Sequence, residues 1–117
     1  MAEPLDSYDK VLAYALTLPD TEAGTAYGKP TAKLPNGRGF VFPGHEPDTS
    51  FVVWVDAGLR DMLMETEPET YWQSKHYNGT TAVLVRFDSP DPERVRHVIQ
   101  RAHAIVGAQK PPRPRKK

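Results

Sequence analysis

Apolar residues recur at three- and four-residue spacing in three stretches of this chain and run nearly unbroken in two others. Tyr8, Val11, Leu12, Ala15 and Leu18 form one helical stripe. Asp6 or Ser7 is placed to cap it, because a short side-chain oxygen there accepts an orphan backbone N–H. Pro19 stops it. Leu59, Met62 and Leu63 follow a cap at Asp56 and predict the inner face of a second helix, which ends near Pro68. Val95, Val98, Ile99, Ala102 and Val106 predict the core stripe of a third. Asp91, held out of the helical region by the proline after it, caps that helix, and Pro92 takes its first position. Gly107 is read as its C-terminal cap.

Two runs read as strands. Ser50 to Val55 is β-branched and aromatic almost throughout, which predicts a buried central strand, and Ala82 to Asp88 predicts another. Shorter runs at Thr31–Leu34 and Gly39–Phe42 flank Pro35-Asn36-Gly37-Arg38, where Asn-Gly is a strong hairpin signal because both residues tolerate positive φ. Residues 20–29 read as turn and 43–49 as loop, while 71–77 fit a short strand or an ordered loop equally well. Short hairpin links make the sheet antiparallel, and three amphipathic helices must cover it. The predicted fold is α+β, a two-layer sandwich of a four- to five-stranded antiparallel sheet with three helices, ordered α-β-β-β-α-β-β-α.

The length of 117 residues accommodates one domain, expected over residues 1–109. Residues 110–117 are rich in Pro, Lys and Arg and are expected to be a disordered tail. The formal net charge of zero conceals an asymmetry: residues 1–109 hold ten Lys/Arg against fifteen Asp/Glu, about −5, and the last eight residues carry +5. An acidic body is a poor general polyanion binder, so nucleic-acid contact needs a local patch or the tail. No cysteine is present, which removes disulfides, thiolate metal sites and a cysteine nucleophile and fits the cytoplasm. Met1 to Pro4 shows no apolar signal region, and no run reaches membrane-spanning length.

Several stretches together resemble the MmcQ/YjbR family of small bacterial proteins, over roughly Tyr8 to Val106. They are Leu16-Thr17-Leu18-Pro19 followed by Tyr27-Gly28-Lys29-Pro30, the Phe40-Val41-Phe42 strand, the approach from Pro68 to Trp72, His76-Tyr77-Asn78-Gly79 before a strand, and Ala102-His103-Ala104-Ile105-Val106. The chain departs from the family at Thr81-Ala82, where relatives often carry a tryptophan. The resemblance implies an α+β fold like the frataxin and secretion-chaperone sandwiches. It also implies DNA binding, and it supplies no catalytic residues.

Two surfaces carry candidate chemistry. Lys29, Lys33 and Arg38 bracket the first hairpin, with Lys75 nearby in the later loop. Together with Arg113, Arg115, Lys116 and Lys117 of the tail they are the candidate DNA-binding residues, contacting phosphate without sequence preference and releasing it with salt. Tyr27, Trp72, His76, Tyr77 and Asn78 form the alternative, a face for a small ligand or a protein partner that combines aromatic walls with a titratable ring and an amide. A third reading makes His76 an acid–base catalyst. No Gly-x-Ser-x-Gly elbow or phosphate-cradling glycine loop is present. His45, His76, His97 and His103 lack ligand-pair spacing, so neither metal nor cofactor is expected and these read as surface histidines. A monomer or a weak homodimer is expected, with Phe40, Phe42 or Trp54 marking a dimer face if exposed.

Overall fold

Each helix starts where a side-chain oxygen supplies an acceptor that the backbone cannot. The computed structural model describes residues 5–26, 28–44 and 49–110. Ser7 Oγ accepts from Lys10 N (3.3 Å) at the head of α1 (Tyr8–Ala15), while Asp6 pairs with Lys10 across one turn (3.0 Å). Asp56 Oδ1 accepts from Leu59 N (2.8 Å) before α2 (Ala57–Thr66). Asp91 Oδ1 accepts from Arg94 N (3.1 Å) before α3 (Pro92–Gly107), which opens on Pro92 as expected.

The strands are β1 (Glu22–Ala26), β2 (Lys29–Lys33), β3 (Val41–Pro43), β4 (Ser50–Trp54), β5 (Tyr71–Trp72) and β6 (Ala82–Arg86). A single 3-10 turn at Lys75–Tyr77 lies between the last two, so the segment that fitted a strand or a loop is both in succession. All pairings are antiparallel. The strands β3-β4-β6-β5 make a four-stranded sheet, and β1-β2 makes a separate two-stranded hairpin. The fold is therefore α+β, with β4 and β6 central. The first hairpin's partner differs from expectation: β2 pairs along its length with β1, which lies in the segment read as turn, and toward the other side it makes an isolated Lys33–Gly39 bridge.

The three helices pack on one face of the four-stranded sheet. Val41, Phe51, Val53, Val83, Val85 and Tyr71 point there, against Val11 and Ala15 of α1, Leu63 of α2, and Val95, Val98, Ile99, Ala102 and Val106 of α3. Leu63 is the only fully buried residue of α2, with Leu59 and Met64 packed beside it against the same core, and Leu63→Ala removes about 2–5 kcal/mol. Met62, expected beside it on the inner face, is instead 39% exposed.

The end of α3 also departs from expectation. Gly107 is its last helical residue and Ala108 the cap, in an ordinary right-handed conformation. The terminal carbonyls are satisfied from another element: Asn36 Nδ2 donates to Val106 O (2.8 Å) and Gln109 O (3.0 Å). A glycine cap becomes unnecessary once a side-chain amide takes these acceptors.

Candidate functional site

A strand whose residues alternate between two faces can be apolar on both, and β4 is. Phe51 and Val53 face the helices, which leaves Ser50, Val52 and Trp54 on the opposite side. The antiparallel registers align with them Phe42 of β3, Ala82, Leu84 and Arg86 of β6 and Trp72 of β5. Phe42, Val52, Ala82 and Leu84 form a second apolar cluster, flanked by Ala26, Trp54, Trp72 and Tyr77, with no α-helical residue in it among the described residues.

This face is partly roofed by residues 73–80, which are tightly tied down. Gln73 Nε2 donates to Thr80 O (2.9 Å) and Ala82 O (2.8 Å), and Arg60 Nη1 reaches Thr80 O from α2 (2.7 Å). Thr80 Oγ1 donates to Tyr77 O (2.7 Å) and accepts from Ala82 N (3.2 Å). Between them lies a reverse turn closed by Thr80 N donating to Tyr77 O (3.0 Å), with Asn78 at φ −57°, ψ 131° and Gly79 at φ 87°. These are the angles of a type II turn, whose third position favours glycine, so the Asn-Gly pair acts through its glycine alone. The turn sets the Tyr77 ring edge-on to Trp54 (6.3 Å between centroids) and to His76 (4.7 Å).

The β1–β2 hairpin supplies the remaining wall. Its loop falls between the paired residues Ala26 and Lys29 and includes Gly28 at φ 74°. Its base is pinned to α1 and β3. Tyr8 Oη donates to Pro30 O (2.7 Å) with Val41 O also close (3.1 Å), and the buried Thr31 Oγ1 donates to Val41 O (2.6 Å). The fixed base holds Lys29 beside the sheet.

Together these parts enclose a solvent-open cleft of about 470 Å³ lined by Lys29, Phe42, Trp54, His76, Tyr77 and Thr80. That volume is typical of small-molecule sites. Burial pushes the Tyr77 phenol above its ordinary range. Among the described residues no carboxylate lines the cleft. Further along the same face the Arg86 guanidinium stacks over Trp72 (5.0 Å), whose indole Nε1 donates to Ser50 Oγ (3.2 Å).

The residues singled out in sequence are divided by this geometry. His76 and Tyr77 line the cleft, and Lys29, singled out for phosphate contact, joins them. Trp72 lies on the same face under Arg86, and Asn78 is exposed on the turn. Tyr27 lies outside the described residues. Lys75 is exposed at the start of the 3-10 turn, and the Lys33 stem lies over Gly24. Arg38 Nε donates to Lys110 O (2.7 Å), which ties it to the end of α3. Arg113, Arg115, Lys116 and Lys117 lie outside the described residues. Phe42, Trp54 and Thr80 escaped sequence reasoning as lining residues. Parity groups Trp54 with Val52, but only the cross-strand register sets it opposite the small Ala82 on the cleft side.

The other histidines serve elsewhere. His103, read as a surface residue, is half-buried, its Nε2 2.8 Å from Pro19 O and its ring edge-on to Phe40 (5.5 Å). His97 is exposed, and His45 lies outside the described residues. Among the described residues no group of three His, Asp or Glu side chains could hold a metal ion, and no helix is long and apolar enough to cross a membrane. Phe40 and Phe42, candidates for an exposed dimer face, are buried, and Trp54 is half-buried in the cleft.

A family model described as YjbR matches residues 16–105. Among solved structures, the chain is similar to the crystal structure of Deinococcus radiodurans protein DR2400, which carries the family-model domain DUF419. The TM-score is 0.75 at 16% identity, covering 93% of this chain and 84% of that one. Comparison with curated proteins finds no match.

Proposed function

Since the chain belongs to the YjbR family, whose fold leaves one face of the sheet free of helices here, we propose that it is a non-enzymatic binding module that takes a small ligand in the cleft on that face. The observation that carries this reading is the convergence of Lys29, Phe42, Trp54, His76, Tyr77 and Thr80 from four separate segments on one cleft of about 470 Å³. Binding is favoured over catalysis because the lining lacks an activated nucleophile. The Thr80 hydroxyl both donates and accepts within its own loop, and burial moves the Tyr77 phenol further from the ionised form a nucleophile needs.

The nucleic-acid reading draws less support from the geometry. Arg38 is engaged at the end of α3. Of the arginines on α3, Arg94 pairs with Glu67 (3.0 Å) and Arg96 with Glu93 (3.1 Å). Lys29, Lys33 and Lys75 remain as the local cations of that surface, and Arg101 is exposed on α3.

The test is a fragment screen by two-dimensional amide NMR on the full chain. Bound fragments should shift the amides of residues 28–30, 42, 54 and 76–80 and quench tryptophan fluorescence, and Trp54→Ala should abolish both. Shifts confined to the outer face of α3, or the same fragments binding undiminished to Trp54→Ala, would place the site elsewhere.

A further inference from the structure

Resting on the cleft reading, we infer that the ligand class is a flat aromatic or heteroaromatic ring bearing an anionic group, with the ring against Trp54 and Tyr77 and the negative charge at Lys29. Two observations carry this independently of each other.

The first is the shape of the lining. Trp54, Tyr77 and Phe42 with the His76 imidazole give four aromatic rings around one small cleft, and Trp54 and Tyr77 meet at 84°, so two walls stand nearly at right angles. A planar ring can lie on one of these walls and present its edge to the other, the two arrangements that aromatic quadrupoles favour. A flexible aliphatic ligand would gain area but neither of these contacts.

The second is charge. The Lys29 side chain is half-buried at the cleft wall, yet its ammonium has no hydrogen bond or ion pair with any described residue. The lining offers no carboxylate among the described residues, so an incoming cation meets only ring faces there and is opposed by the like charge of Lys29. An ammonium at the cleft wall without a counter-charge is placed to form a charge-assisted hydrogen bond with an anionic ligand. The bonds of Tyr8 to Pro30 O and of Thr31 to Val41 O fix the strand next to Lys29, so its backbone is in place before the ligand arrives and only its side chain is ordered on binding.

A free nucleotide and a simple aromatic acid share this chemistry, and the experiment separates them. Isothermal titration of the full chain is run with indole-3-acetate, its neutral amide indole-3-acetamide, the cation tryptamine, and adenosine monophosphate. The acetate should bind about tenfold more tightly than the amide, the scale of one charge-assisted hydrogen bond. Tryptamine should be weaker than both. Lys29→Gln should bring acetate and amide to equal affinity while leaving the amide unchanged. Tighter binding of the nucleotide than of the acetate, lost equally in Lys29→Gln, would assign the anion as a phosphate; the reverse order would assign it as a carboxylate.

Equal affinity for acetate and amide in the native chain would overturn the charge assignment and leave the cleft reading standing. Failure of all four probes, together with a fragment screen silent at residues 76–80, would overturn both. Neither outcome depends on whether a variant folds.

Discussion

Two tyrosine hydroxyls in this protein should respond to the same substitution with opposite sign. Tyr71 is 1% exposed, and its hydroxyl is buried without a hydrogen-bond partner among the described residues. Burial, and then the charge of Glu67, push its ionisation well above the ordinary tyrosine range. Leaving such a group unsatisfied costs about 1–3 kcal/mol, whereas the void left by deleting one oxygen costs only a few tenths. Tyr71→Phe should therefore stabilise the fold by about 1 kcal/mol. Tyr8 is the control, since its hydroxyl donates to Pro30 O at 2.7 Å. Tyr8→Phe should destabilise by about 1 kcal/mol, the net value of one hydrogen bond. In a domain of 117 residues, 1 kcal/mol moves Tm by roughly 4 °C, so the two variants should differ by roughly 8 °C. Urea titration at pH 7 provides the free energies directly. A loss of 1 kcal/mol or more in Tyr71→Phe would refute the reasoning, because it would mean that the hydroxyl is satisfied.

The same two phenols predict alkaline unfolding. Burial raises both above the unfolded value near 10, so above that pH the unfolded chain releases protons that the folded chain keeps. Stability is fully present below pH 10 and falls above it by about 1.4 kcal/mol per pH unit for each tyrosine. Each Phe variant should flatten the decline by that amount in urea titrations between pH 10 and 12, and an unchanged slope would contradict the assignment. Asn36→Ala should cost about 1–2 kcal/mol by freeing the carbonyls at the end of α3. Asn36→Asp should cost more, since it sets a negative charge against the negative end of the helix dipole; an Asp variant more stable than the Ala one in thermal melts would count against this. Gly39→Ala should cost about 1–3 kcal/mol, because the new Cβ would lie 2.8 Å from Cγ2 of the fully buried Thr31, and a melt indistinguishable from the native one would show that the site yields. Gln73→Ala releases both ends of the cleft loop. It should speed hydrogen exchange at the Thr80 amide by about tenfold while changing global stability by only about 1 kcal/mol; unchanged exchange would mean that Arg60 alone holds the loop.

The helices were legible in the sequence because their determinants are local. Ser7, Asp56 and Asp91 cap within three residues of themselves, and the stripes through Val11 and Ala15 or Val98 and Ile99 repeat within single elements. The β-branched runs of β4 and β6 and the positive φ of Gly37 and Gly79 were legible for the same reason. The strand β1 was not. Glu22-Ala23-Gly24-Thr25-Ala26 has little intrinsic strand preference, and it becomes a strand by pairing with β2. Asn36 and Arg38 read as a hairpin tip and a phosphate contact, but their partners, Val106 and Lys110, are some 70 residues away. The cleft shows the limit most clearly. A strand apolar on both faces, such as Phe51 to Trp54, has no polar residue to reveal which side lies open, so Trp54 could not be assigned to a surface from the sequence. The cross-strand register decided it, by placing the helices against Phe51 and Val53 and leaving Val52 and Trp54 to the other face. Composition and spacing set which residues could pack; only the assembled sheet determined which side was left without helices among the described residues.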